Sequence, residues 1–477
     1  MKILKLFYGA LFLIVILSID VLAQGVAQPL TLQNLERYSV IGSRARAMGG
    51  GFTASGNDVT SVFGNPAALS NLSQFEFRFG GSSVLRYYEQ NQAWIPGDRY
   101  LELSLIFENN NPPKVKPFDN LKPNWKKNRL SFHPSFAAMS YQFEFSGTKV
   151  TAGLGCAEYL NLDHYYQNNN ALDPNIGQLR PAPINPPAMN DTLKVNWFQF
   201  ISEREGSIWG ATPAISINVT EKFSIGASIA FLEGSTYDQE NKNYRGLFKL
   251  TTKPNSKAFN NFTLDSVYNK TETFGQSNYK GAISTFGVLF NQENYSFGFT
   301  VQPAWTLKRN WKRDILTTTT AGQTMKVESG AEELKLPFQY TIGIALRPSA
   351  KLTITIDYDA RKYGDAVYEP TPDTTYKPWL TNHTFRGGLE YKAAKWLQIR
   401  GGFREEAQTV AVEGAALLQN PIRGAVYSFG FGLNFNPLFF DFAYEYGHTK
   451  YEDMWESNVN YNTIDKHEFS LETCIKF

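Results

Sequence analysis

Apolar side chains recur at every second position in many segments of this chain. In residues 469–477 the odd positions are apolar, with Thr473 as the exception, and the even positions are small or charged. The same alternation runs through residues 223–231, 352–361, 397–404, 427–436 and 440–447. A period of two predicts β-strands with one apolar and one polar face.

The segments between these strands alternate between short and long. Short turns are predicted at residues 146–148, 218–221, 291–294, 348–350, 393–394 and 436–437. Long polar segments are predicted at about 161–206, 235–276, 308–335, 363–381, 408–423 and 450–462. Short turns at one end and long loops at the other are typical of transmembrane β-barrels.

Strand counting gives about fifteen strand-like runs between residues 74 and 477. Single-chain barrels of the bacterial outer membrane have an even number of strands. Alternation of the turns places the run at residues 100–107 inside the first external loop. The predicted fold is therefore all-β, a transmembrane antiparallel β-barrel of about 14 strands.

Composition agrees with a barrel and disfavours other classes. Aromatic residues make up 15% of the chain, while charged residues make up 19% and the mean hydropathy is −0.33. After residue 23 no stretch approaches the ~20 apolar residues of a membrane-spanning helix. A net charge of +2 gives no reason to expect a nucleic acid as a partner.

The first 23 residues are predicted to be a cleaved signal peptide. Lys2 and Lys5 precede an apolar run at residues 6–17, and Ala23 fits the small-residue cleavage site. The alternative is a single membrane anchor, for which the run is short. Export and a barrel together predict that the protein lies in the outer membrane, surrounded by its lipids.

Residues 24–73 lack the alternation and are rich in Gly, Ala and Ser. Within them, residues 43–69 lead through a glycine run and Asp58 to Asn65, Pro66 and Ala67, just before a strand with Phe75, Phe77 and Phe79. This arrangement resembles the hatch domain of the FadL family, the outer-membrane transporters of long-chain fatty acids and other hydrophobic compounds. The resemblance implies that residues 24–73 are a plug (hatch) inside a barrel formed by residues 74–477.

The resemblance also implies a function. It is passive uptake of a hydrophobic small molecule, with gating by the plug and lateral release through the wall into the bilayer. Related barrels with a similar N-terminus serve protein secretion, so the alternative is an outer-membrane component of a secretion or assembly machine.

Strand parity turns many charged side chains toward the lumen. One interpretation is a structural network of salt bridges that holds the plug. The other is that Arg386, Arg400 and Arg404, on neighbouring strands, bind a substrate carboxylate, since guanidinium groups pair with carboxylates in bidentate fashion.

Three further features bear on release and assembly. Gly153 and Gly155 fall in the third predicted strand, where they either permit an inward kink or are ordinary strand glycines. In the FadL family, a kink in this strand opens the wall. The terminal Phe477 resembles the C-terminal signal that the barrel assembly machinery recognises.

The sequence offers no pattern for catalysis, a cofactor or a metal. The five histidines lack two-His zinc spacing on a helix, and no Gly-x-Ser-x-Gly elbow is present. The Gly49–Gly51 run lacks the Lys of a phosphate-binding loop, so close packing of the plug is its predicted role. Cys156 and Cys474 could pair, but they read better as two small strand side chains.

Overall fold

The computed structural model describes residues 32, 34, 35, 39–72, 75–94, 124–173, 192–252, 259–267, 269–408, 422–455 and 458–477. The predicted signal peptide and the run at 100–107 lie outside these residues. The described residues form twenty β-strands: β1 Phe75–Trp94, β2 Trp125–Phe145, β3 Thr148–Asn161, β4 His164–Asp173, β5 Thr192–Asn218, β6 Phe223–Thr252, β7 Phe259–Ser266, β8 Lys270–Asn291, β9 Tyr295–Gln302, β10 Trp305–Thr319, β11 Gly322–Leu336, β12 Gln339–Ser349, β13 Leu352–Arg361, β14 Val367–Thr371, β15 Thr374–Tyr376, β16 Asn382–Lys392, β17 Leu397–Gln408, β18 Ile422–Phe435, β19 Leu438–Trp455 and β20 Asn458–Lys476.

The strands form one closed antiparallel barrel. β1 pairs with β2 on one side and with β20 on the other, from Glu76 opposite Lys476 to Trp94 opposite Asn458. At the seam the backbones of Phe75 and Phe477 exchange hydrogen bonds of 3.4 and 3.1 Å. β4, β10 and β11 extend β3, β9 and β12, and β7, β14 and β15 extend β8, β13 and β16. Among the described residues the ring therefore has fourteen strands, as predicted.

Side chains alternate between the outer face and the lumen as the sequence predicted. On β20, Phe469 and Leu471 are 56% and 46% exposed, while Ser470, Glu472 and Cys474 at the alternate positions are buried. Aromatic and aliphatic side chains cover the outer face of the other strands in the same way. This arrangement places apolar groups against lipid and polar groups inside.

The predicted short turns join neighbouring strands at the end of the barrel where β1 begins and β20 ends. The prediction of long loops at the other end is wrong for much of their length. β6 alone has 30 residues, although roughly 9–11 suffice to cross a bilayer. Segments 235–276 and 308–335 are largely strands, and only residues 456 and 457 separate β19 from β20. Above the lipid, both faces of a strand meet water and are polar. The strands continue there, but the sequence shows no alternation that would predict them.

Residues 39–72, called the plug here, lie inside the barrel. They contain the helix α1 (Ser43–Ala47) and the 3-10 turns Val59–Val62 and Pro66–Asn71; a third turn, Tyr363–Asp365, follows β13. α1 contacts β17 to β20, whereas the turn Pro66–Asn71 contacts β3, β5, β6 and β8 on the opposite wall. The described helices include none long or apolar enough to cross a membrane. Both cysteines are free, Cys156 exposed and Cys474 buried.

Replacing Phe429 by Arg should destabilise the barrel. Phe429 lies in the middle of β18 and is 54% exposed on the outer face. We expect a loss of about 2–4 kcal/mol in the free energy of unfolding, because the charge would face the hydrocarbon. Urea unfolding in lipid vesicles, followed by tryptophan fluorescence, measures it. Met325→Arg, on the β10–β11 hairpin beyond the lipid, is the control; an equal effect at both positions would contradict this orientation in the bilayer.

Candidate functional site

The Asn65-Pro66-Ala67 motif fastens the plug to the wall at the short-turn end. Asn65 caps the turn Pro66–Asn71 by accepting a hydrogen bond from the Ala67 amide at 3.1 Å, and Pro66 occupies the first position of the turn. The Asn65 amide group donates to Thr53 O at 2.8 Å and to Val288 O of β8 at 3.1 Å. Ala67 O accepts hydrogen bonds of 3.0 Å from the hydroxyls of Ser216 and Ser224. The motif therefore ties three wall strands to the plug.

Glycine is required where the plug touches the wall. A side chain on Gly226 would meet Pro66 C and Ala67 N at 2.5 Å. In the plug, Gly49 and Gly50 have φ of 65° and 82°, a region that favours glycine. A side chain on Gly49 would also collide with the carbonyl of Gly387 at 2.6 Å. This agrees with the close-packing role predicted for the Gly49–Gly51 run.

Two arginines of α1 join the plug to buried wall carboxylates. Arg44 forms a bidentate pair with Glu390, at 2.8 and 3.1 Å, and lies 3.3 Å from Asp58. Arg46 pairs with Glu468 and lies 3.5 Å from Glu445. All of these side chains are buried. Buried charges require such partners, so plug and wall neutralise each other.

The wall also satisfies backbone groups of the plug. Asp357 accepts hydrogen bonds of 2.9 Å from the amides of both Phe52 and Thr53. Glu472 accepts from the Ser43 amide at 2.6 Å, and Glu76 accepts from the Val59 amide at 3.1 Å. These contacts specify where in the lumen the irregular backbone of the plug lies, because each buried amide needs an acceptor.

Charges within the plug titrate far from neutral pH. Burial opposes ionisation of Asp58, but Arg78 and Arg44 outweigh it and lower the pKa of that carboxyl. Burial likewise disfavours charged Arg44, yet Glu390 and Asp58 raise its pKa above the usual value. The ionic contacts of these groups are therefore present at neutral pH.

Two of the three predicted carboxylate-binding arginines form ion pairs with carboxylates of the wall. Arg400 pairs with Glu390 and Asp441, and Arg404 pairs with Glu406 and Glu445. Both are buried. They share Glu390 and Glu445 with the plug arginines Arg44 and Arg46.

Arg386 differs from them. Its Nη2 pairs with Asp359 at 2.8 Å, but its Nε is buried with no hydrogen-bond partner among the described residues. The side chain lines a cavity of about 140 Å³ beside the plug. Of the three, Arg386 is the one whose Nε has no acceptor among the described residues.

Gly153 and Gly155 lie against the plug. Side chains there would meet Val62 Cγ2 at 2.7 Å and the ring of Phe63, respectively. The register of β3 with β2 and β5 runs through both glycines without a shift. The two glycines thus make room for the plug, and the irregularity of this wall lies farther along β3.

The wall forks between β2 and β3. Their pairing runs from Phe145 opposite Thr148 to Phe136 opposite Ala157. Beyond that point β2 continues along β1 as far as Trp125, while β3 and then β4 follow β5. In the described residues no backbone ladder joins the two sides above this level.

A cavity of about 130 Å³ lies behind the fork. Plug residues Ser39, Val40 and Arg46 form one side of it, and wall residues that include His133 and Glu158 form another. Ser39 and Val40 also line the cavity that contains Arg386, so they separate the two. The amide of Ser39 donates to Tyr159 O at 2.9 Å, a link from this partition to β3.

Sequence reasoning missed Arg44, Arg46, His133 and Glu158. The two arginines lie on either side of Ala45, close to a glycine run, and charges among such small residues indicate buried carboxylate partners. The predicted turn at 146–148 joins β2 and β3, but His133 and Glu158 lie beyond the last backbone pair of these strands, where the turn no longer sets the register. Among the described residues, no three His, Cys, Asp or Glu side chains are grouped as metal ligands would be.

Arg44→Met should weaken both the fold and the plug. It would leave Glu390 and Asp58 with fewer buried counter-charges, so we expect a loss of about 3 kcal/mol in the free energy of unfolding. Urea unfolding in detergent measures it, and planar-bilayer conductance should rise as the plug loosens. The matched control is Arg423→Met, which breaks an exposed pair with Glu405 and should cost under about 1 kcal/mol. Equal losses in the two variants would refute the role of Arg44.

No protein-family model and no curated protein matches the chain. Solved structures do. A Pseudomonas aeruginosa FadL homologue is similar with a TM-score of 0.58 and 12% identity, over 94% of this chain and 100% of that one. The P. putida toluene transporter TodX gives 0.57 and 14%, over 93% and 99%. The monoaromatic hydrocarbon channel CymD gives 0.54 and 13%, over 92% and 97%. At these identities the likeness is one of fold, and the chain has the barrel fold of the FadL homologue and of these two hydrocarbon-handling proteins.

Proposed function

We propose that this protein is an outer-membrane channel for passive uptake of hydrophobic small molecules, such as long-chain fatty acids or hydrocarbons. One observation carries the proposal: a cavity beside the plug borders the level at which the wall loses its backbone pairing. An apolar ligand in that cavity has a short route into the bilayer. It need not cross the charged network that fills the lumen on the short-turn side.

The plug is the proposed gate of the channel. Arg44, Arg46 and the Asn65-Pro66-Ala67 motif anchor it at several points, so the anchored part blocks the lumen. By contrast, Ser39 and Val40 form a thin partition between the two cavities. Displacement of this partition would join the cavities and pass the ligand toward the fork. No nucleotide-binding motif is present in the sequence, so the concentration gradient is the expected driving force.

Two of the similar structures are a toluene transporter and a monoaromatic hydrocarbon channel. That chemistry fits a release route into lipid. The alternative, a component of a secretion or assembly machine, would need a stable protein partner. No feature of the described surface favours it over uptake.

Uptake can be tested in a host strain that lacks its own channel. Expression of this protein should raise the accumulation of radiolabelled oleate or toluene above that of the empty-vector strain. A variant with Phe477 deleted, predicted to lack the assembly signal, controls for expression without insertion. If no apolar compound accumulates above the empty-vector level, uptake is not the function. A stoichiometric protein partner on purification, with no lipid in the mass spectrum, would then support the secretion role.

Arg386→Gln should distinguish carboxylate ligands from hydrocarbons. Arg386 lines the cavity, and loss of a charge-assisted hydrogen bond from its guanidinium should weaken oleate binding by about tenfold or more. Toluene has no carboxylate, so its uptake should be unchanged. Equilibrium binding of oleate to the purified protein measures the first effect. Equal loss for both ligands would indicate a structural role for Arg386 instead.

A further inference from the structure

The fork arises from two irregularities that face each other. Gly80 and Gly81 of β1 pair with Phe136 and Pro134 of β2, so Ser135 is an extra residue in β2. On β3, Glu158 and Leu160 pair with consecutive residues of β5, so Tyr159 is an extra residue. A β-bulge bends its strand and increases the local twist. Bulges at one level on adjacent strands turn β2 toward β1 and β3 toward β5.

Side chains cross the gap that the backbones leave. Nearest the last backbone pair, His133 Nδ1 of β2 lies 2.8 Å from Glu158 Oε2 of β3. Farther along, Arg129 Nη2 lies 2.5 Å from Glu205 Oε1 of β5. The Trp125 indole donates to Gln167 O of β4 at 3.1 Å. The fork is therefore closed by side chains, whereas β2 with β1 and β3 with β5, on either side of it, are joined by backbone ladders.

His133 and Glu158 occupy the decisive place in this closure. Both line the cavity behind the fork, together with Arg46 and Glu468 of the plug anchor. Glu158 is almost fully buried, whereas the His133 side chain is 21% exposed. One side-chain contact of this kind contributes far less net free energy than a continuous ladder of backbone hydrogen bonds. Thermal motion can therefore part this pair far more often than it can part a ladder of backbone hydrogen bonds.

We propose that the His133–Glu158 pair is the latch of the wall opening. While the pair is formed, the cavity is closed toward the bilayer; when it parts, the ligand can leave between β2 and β3. Both are positioning residues, since they act by holding the strands together. This inference rests on the proposed function, because a latch on the wall matters only if ligand leaves through it.

Crosslinking tests the latch directly. Cys156→Ser and Cys474→Ser first remove the native thiols. His133→Cys and Glu158→Cys are then joined by a thiol-cleavable bis-methanethiosulfonate reagent, which restores the reach of the two lost side chains. The matched control is Tyr141→Cys with Ala152→Cys, an outward-facing pair on the same two strands where the ladder is intact. Uptake of radiolabelled oleate and toluene is measured before crosslinking, after it, and after reduction.

The expected result is loss of uptake in the crosslinked His133–Glu158 variant, full recovery on reduction, and no change in the control variant. Uptake at the uncrosslinked rate while the link is intact would overturn the latch and leave the proposed function standing. Absence of uptake by the unmodified protein would overturn the proposed function and the latch with it.

A milder variant tests the same idea without a reagent. Glu158→Gln keeps a hydrogen-bonding group but replaces a charge-assisted bond by a neutral one, so release should quicken by about fivefold. Stopped-flow transfer of a fluorescent fatty acid from the protein in vesicles measures the release rate. An unchanged rate in Glu158→Gln, with normal unfolding in urea, would contradict the latch.

Discussion

The fold depends on the rule that every backbone amide and carbonyl in lipid must find a partner within the protein. Closure of β20 onto β1, completed by the hydrogen bonds between Phe75 and Phe477, satisfies that rule around the ring. The alternation of side chains follows from the pleat, so the outer face becomes apolar and the inner face polar. A lumen lined with carboxylates and arginines is the consequence, and it must in turn be filled or hydrated.

The plug fills it with complementary charge. Arg44 and Arg46 meet carboxylates of β16, β19 and β20, while wall carboxylates accept hydrogen bonds from plug amides. Without the other, the plug and the wall would each leave buried charges unpaired. These charge pairs therefore fix the position of the plug in the lumen. Small residues on both sides allow the backbones to approach closely enough to meet it.

At the fork, β2 and β3 separate, and their backbones no longer pair with each other. Two bulges direct the strands apart, and polar side chains take over the closure from the backbone. Because side-chain contacts are individually weak, the proposed opening lies at this part of the wall. A cavity beside the plug lies next to the fork. The proposed route of an apolar ligand therefore leads from this cavity to the part of the wall without backbone pairing.

The sequence by itself determined the barrel, its strand parity and its short turns, because lipid outside and water inside impose an alternation that residues such as Phe469 to Cys474 display. It did not determine the strands above the lipid, where both faces are polar and alternation carries no signal. Nor did it decide which inward charges pair. The register of β17 with its neighbours sets which carboxylates Arg400 and Arg404 contact. The contact of His133 with Glu158 depends on the two bulges of β2 and β3. Only the closed tertiary structure fixes these contacts.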